Sequence, residues 1–137
     1  MTVETTKELA SQIRERLGQI PYARLLGIEL EAVTPGVVTL RMSVRNDLMR
    51  NNGIVHGGAI ASLIDSATAF ALISLDPTQQ AVTIDLHVNF TRPLVDGQAT
   101  STAKVIRAGR RVVFISAEVF DSSGNLVATA LSTYIKD

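Results

Sequence analysis

The segment Asn52-Gly-Ile-Val-His56-Gly57-Gly58-Ala-Ile-Ala-Ser-Leu-Ile-Asp65 holds the most chemically suggestive residues of the chain. Two consecutive glycines at a helix start leave backbone N–H groups free of side-chain obstruction. Those donors, with the helix dipole behind them, favour negative charge as it develops. Gly57 and Gly58 are therefore candidates for an oxyanion hole. Asp65 stands in an otherwise apolar run, where an unpaired carboxylate is costly and is neutralised, paired or used. Each residue also has a plain structural reading: Asp65 bonded to nearby backbone or hydroxyl groups, His56 a helix-start residue held by packing.

Spacing adds a constraint. Gly57 and Asp65 are eight positions apart, which is ~12 Å along one helix. Reacting groups must converge to within ~3 Å of a shared centre. One helix cannot bring both to a single carbonyl carbon. Two copies related by a two-fold axis can, if their helices run antiparallel and set Gly57 of one chain opposite Asp65 of the other. The crossing then falls near Ala61, small enough for close approach.

The elements that must position these groups are legible in the hydrophobic pattern. Thr5 and Glu8 stand in capping-box spacing, and Leu9, Ile13, Leu17 and Ile20 share a stripe, predicting an amphipathic helix over about 6–19 that Pro21 ends. After a turn through Tyr22–Gly27, strand-like runs Ile28–Thr34 and Val37–Val44 flank Pro35-Gly36 as a hairpin. A polar connection, 45–52, leads to a helix running to about Leu75 that contains no Lys, Arg or Glu and so belongs in a core. From Gln80 the period becomes two: Val82, Ile84, Leu86, Val88 and Phe90 alternate with Thr83, Asp85, His87, Asn89 and Thr91. Turns at 92–97, 108–109 and 121–124 then separate strands near 98–107, 111–120 and 125–135, the pattern of an antiparallel meander. The expected architecture is a single α+β domain over 1–137: a curved antiparallel sheet of five or six strands wrapped around one buried helix. An N-terminal helical segment, 1–20, precedes a core over 21–137.

Composition narrows the function classes. With no cysteine, a thiol nucleophile, a disulfide framework and a Cys-based zinc site are excluded. The 13 basic residues balance 13 acidic ones, which argues against a nucleic-acid partner. The apolar run 59–75 carries Asp65 and several hydroxyls and lacks basic or aromatic anchors, so it is read as a core helix rather than a membrane span. The polar amino terminus has no signal-peptide profile, and a cytoplasmic location is expected. Only 19% of residues are charged, below the usual ~25%, which points to surface covered by another subunit.

Taken in order, His56-Gly57-Gly58, Asp65 with Ala67, Asp85-Leu-His-Val-Asn-Phe-Thr-Arg-Pro93, Gly109-Arg-Arg and Gly124-Asn-Leu-Val-Ala128 resemble the hotdog-fold acyl-CoA thioesterases, specifically the phenylacetic-acid-degradation (PaaI-like) branch. The resemblance covers roughly 22–134. It implies dimers, commonly dimers of dimers and hence a homotetramer, with sites at the subunit interface and no metal or other cofactor beyond the coenzyme A of the substrate. It implies that Asp65 is the catalytic carboxylate, acting as general base or as nucleophile, and that the Gly57 N–H, with Gly58, polarises the thioester carbonyl. His56 then shapes that turn, and Thr83 helps orient the water. One departure is evident: relatives often read Asn-x-x-Gly-x-x-His, whereas the Asn position here holds Arg50, leaving Asn52 as a substitute.

Coenzyme A needs cations for its phosphates. Arg107, Arg110 and Arg111 flank one turn and are the first candidates, followed by Arg92 and Lys104. The acyl pocket is expected to draw on Leu48, Met49, Ile54, Leu63 and Ala67. Asp85 and His87 share a strand face but stand ~7 Å apart along it, and are read as polar residues of the outer sheet face or a subunit contact. The leading expectation is hydrolysis of a small or medium, including aromatic, acyl-CoA. The alternatives are a hydratase or dehydratase of the same architecture, which lacks an evident Asp-plus-His dyad here, and a non-catalytic acyl-CoA-binding protein.

Overall fold

The computed structural model describes residues 3–137, with side chains from Thr6 onward; the side chain of Thr5, expected as a helix cap, lies outside the described residues. Helix α1 spans Val3–Gly18 and buries Leu9, Ile13 and Leu17 against strand β1, Glu29–Thr34. Two features differ from the sequence reading. Ile20, placed on the buried stripe by periodicity, is exposed. Pro21 begins a helix rather than only ending one: α2 spans Pro21–Leu26 where a turn was expected. Proline fits a first helical turn because its missing N–H has no partner there in any case, and Gly27 at φ 71° stops the helix in the left-handed region.

Strand β1 and β2, Val37–Ser43, form the expected hairpin. Strands β4 (Gln98–Ala108), β5 (Val112–Phe120) and β6 (Leu126–Lys136) form the expected meander. The placement of β3, Ala81–Phe90, is decided by tertiary structure: it lies at the far edge beside β6, giving the order β1-β2-β4-β5-β6-β3, all antiparallel. A bulge interrupts its alternation. Thr83 pairs with Tyr134 and Asp85 with Thr133, so Ile84 is the extra residue. Thr83 therefore shares the inner face with Leu86 instead of opposing it, which corrects the simple period-two assignment.

Helix α3, Gly57–Leu75, packs on β2, β4 and β5. Phe70, Leu63, Ile64, Ala67 and Ala71 meet Leu40, Met42, Val113 and Ile115, with Ala99, Ala103 and Ala117 on the strands leaving room for the helix to approach. By length and composition alone α3 could cross a membrane, but ten of its residues are buried in this packing. Its other side is not enclosed. Ala61, Ser62, Asp65, Ser66, Ala69 and Ile73 remain half-buried, a stripe of mostly small residues facing away from the chain's own sheet.

Among the described residues one buried side-chain polar atom is unsatisfied. Ser101, fully buried on the inner face of β4, has no hydrogen-bond partner for its hydroxyl. Because a desolvated hydroxyl without a partner opposes folding, Ser101→Ala is expected to raise the stability by about 1 kcal/mol, read as a higher urea midpoint at unchanged slope.

Candidate active site

The glycine pair opens α3 in a specific way. His56 is the N-cap, in extended conformation at φ −61° and ψ 134°, and its Nδ1 accepts the N–H of Gly58 at 2.8 Å. A Cβ on residue 58 would lie 2.9 Å from that nitrogen, so the ring keeps this position in the space that glycine leaves. The Gly58 N–H, expected as a second carbonyl donor, is thus already committed. The Gly57 N–H has no acceptor among the described residues. Gly57 lines a cleft of about 370 Å³ with Arg50, Ile54, Ile60, Phe90 and Arg92. The Phe90 ring would stand 3.2 Å from a Cβ at position 57, so glycine also admits the ring that walls the cleft.

Two turns further on, Asp65 is half-buried and held by hydroxyls. Thr83 Oγ1 donates to its Oδ1 at 3.0 Å, and the Tyr134 hydroxyl reaches the same oxygen at 3.3 Å and the Asp65 carbonyl at 3.1 Å. Thr68 Oγ1 donates to that carbonyl at 3.0 Å and shares a 2.8 Å bond with the Tyr134 hydroxyl. Both side-chain donors end on Oδ1, so Oδ2 is without a donor among the described residues. The bulge at Ile84 is what turns Thr83 toward the carboxylate. Tyr134 was not anticipated, although a signal existed: the alternation of β6 puts it on the inner face, and a buried tyrosine hydroxyl needs a partner.

The remaining expected residues divide between places. Ile54 and Arg92 line the Gly57 cleft, and so does Arg50. Leu48 and Met49 line a separate depression of about 360 Å³ with Tyr22 and His56. Leu63 and Ala67, expected in the acyl pocket, are fully buried between helix and sheet, because the helical face that carries them is the face the sheet covers. Asn52 is exposed and adopts a left-handed conformation, φ 71°, that asparagine tolerates better than most residues. It shapes the loop 50–54, which the Arg50 N–H closes onto the Ile54 carbonyl at 2.8 Å. Arg107, Arg110 and Arg111 are exposed on the β4–β5 turn, beside the Ala81 end of the sheet, whereas Gly57 lies against Phe90 at the opposite end. Asp85, His87 and Lys104 are exposed. Among the described residues no three His, Asp or Glu side chains gather to hold a metal ion.

Burial, above all, pushes the Tyr134 phenol up to about 12. Its ionisation is thus resisted in the folded state, so stability is intact below about pH 10 and falls by about 2–3 kcal/mol as pH rises towards 12. Alkaline denaturation followed by circular dichroism is expected to show this loss in the wild type and not in Tyr134→Phe, whose ultraviolet phenolate signal also lacks the late step.

The sequence model of the thioesterase superfamily matches residues 52–128. The medium/long-chain acyl-CoA thioesterase YigI of Salmonella typhimurium is 31% identical, with 85% of each chain covered. Human acyl-coenzyme A thioesterase 13 is 28% identical over 93% of this chain and 94% of that one. Among solved structures, the Escherichia coli PaaI protein from the phenylacetic acid degradation operon superposes with a TM-score of 0.88 at 25% identity, covering 96% of both chains. Six antiparallel strands, a long helix across them and an N-terminal helix are the hotdog architecture that these relatives share. Family model, relatives and fold agree, and the chain is a thioesterase of the hotdog-fold thioesterase superfamily.

Proposed function

We propose that the protein hydrolyses a small or medium-chain acyl-CoA thioester at two equivalent sites, each built from Gly57 of one chain and Asp65 of another. The observation that carries this reading is the hydrogen-bond pattern on Asp65. Thr83 and Tyr134 occupy Oδ1 and leave Oδ2 open, the state of a carboxylate poised to take a proton. Water adds to the thioester carbon as Oδ2 removes its proton, and charge gathers on the carbonyl oxygen opposite the Gly57 N–H. The C–S bond then breaks, sulfur leaves with the proton from Asp65, and free acid and coenzyme A result.

The chain's surface supports the shared site. Strand β3 is ten residues long, pairs only with β6, and exposes Val82, Ile84 and Phe90. A long apolar edge of this kind is a template for another strand. Antiparallel pairing of β3 with its own copy sets the half-buried stripes of two α3 helices face to face, around Ala61. The same operation would carry the 107–111 turn of one chain toward the Gly57-bearing end of its mate, where its arginines would be available to the phosphates of coenzyme A. Dimers, or dimers of dimers, are the assembly that follows.

Free-thiol release from a panel of acyl-CoAs tests the chemistry. Asp65→Asn is expected to lower kcat by about 10²–10⁴. Gly57→Pro, which removes the N–H and also presses ring atoms on Phe90, is expected to lower it by about 10² or more, and retention of the wild-type circular dichroism by the variant is checked alongside. Heterodimers of these two variants contain one intact site and regain up to half of the wild-type rate. Failure of such mixtures to recover, with both variants folded and exchanging chains, contradicts the shared site, and a strictly monomeric active protein does so too.

A further inference from the structure

We infer that the cleft beside Gly57 accepts an acyl group ending in a carboxylate, and that Arg50 selects it. The inference deepens the thioester reading above and rests on it. Arg50 and Gly57 line one cleft, whose other walls include Ile54, Ile60, Phe90 and Leu94. None of the lining residues that this chain itself contributes is acidic, and the proposed Asp65 of the second chain faces the Gly57 end. Among the described residues the ion pairs join Arg41 to Glu29 and Arg45 to Asp47, and Arg50 takes part in neither. Arg92, the second cation of the cleft, likewise takes part in neither ion pair. Arg50, although exposed, thus brings an unpaired guanidinium to the wall of the cleft.

The root of that side chain is fixed. Met49 bridges to Val55, the Arg50 N–H closes onto Ile54, and Asn52 and Gly53 take the left-handed conformations that such a tight loop requires. The guanidinium is therefore presented by a short, internally bonded loop, suited to the two parallel bonds that arginine makes with a carboxylate.

Dimensions separate this anion from the phosphates of coenzyme A. A cleft of about 370 Å³ corresponds to a sphere about 9 Å across. The nearest phosphate is some fourteen bonds from the thioester carbon, on the order of 15 Å for an extended arm. A cation sharing one cleft with the Gly57 donor is thus placed for the acyl side, and the turn at 107–111 supplies three other arginines for the phosphates. A carboxylate about five bonds beyond the thioester carbon lies roughly 6 Å away, within the cleft.

Equilibrium binding tests this without relying on turnover. Two non-hydrolysable thioethers of coenzyme A, S-hexyl and S-(5-carboxypentyl), are titrated calorimetrically into the wild type, Arg50→Gln and Arg50→Lys. The wild type is expected to prefer the carboxylate-bearing ligand by about tenfold or more. Arg50→Gln brings the two affinities within about twofold, and Arg50→Lys, which keeps the charge but not the fork, falls between. Equal affinities in the wild type overturn the inference, as does a preference that survives Arg50→Gln or a loss in Arg50→Gln that is equal for both ligands. Absence of thiol release from any acyl-CoA sinks the hydrolytic reading separately, because these affinities are measured on ligands that cannot react.

Discussion

The rigidity of one α-helix constrains everything else in this protein. Gly57 and Asp65 are fixed on α3 about 12 Å apart, a separation that no side-chain rotation closes to a reacting distance. In the proposed reaction the free backbone donor and the open carboxylate oxygen are two half-sites, which a second helix would join. The fold leaves room for one. The sheet covers one side of α3 with large side chains, and the opposite side is a half-buried stripe of mostly small residues ending on an unpaired strand edge.

Within each half-site, neighbouring groups determine which atoms remain available. At the helix start, His56 takes the Gly58 N–H and leaves that of Gly57. At Asp65, Thr83 and Tyr134 take Oδ1 and leave Oδ2. In both places a polar side chain satisfies one of two equivalent atoms, so that the other is presented alone and in a fixed direction. The cost of holding a carboxylate beside an apolar core is met here by hydroxyl donors rather than by a cation, which keeps the charge on the aspartate uncancelled.

The distribution of arginines follows the same division of space. The exposed trio around the β4–β5 turn is at the Ala81 end of the sheet, and Arg50 with Arg92 is at the Phe90 end. The departure at position 50 from the family's asparagine thus falls in the cleft itself. A planar, permanently charged group there gives the cleft a cation that stands outside α3.

The sequence by itself determined the types of the long elements, the hairpin and the meander, and it singled out Gly57 and Asp65, because these depend on periodicity, turn residues and spacing along a single helix. It also located the loop of Arg50 and Asn52, though not what that loop faces. The edge position of β3, the bulge at Ile84, the use of Pro21 as a helix start and the contact between Tyr134 and Asp65 were decided only in three dimensions. Thr83 illustrates the difference. Strict alternation puts it on the face opposite Leu86, and one extra residue in the strand turns it toward Asp65, 18 positions away in the chain. Such pairings depend on which strands meet and in what register. That is settled by packing among distant segments, and local sequence pattern carries no record of it.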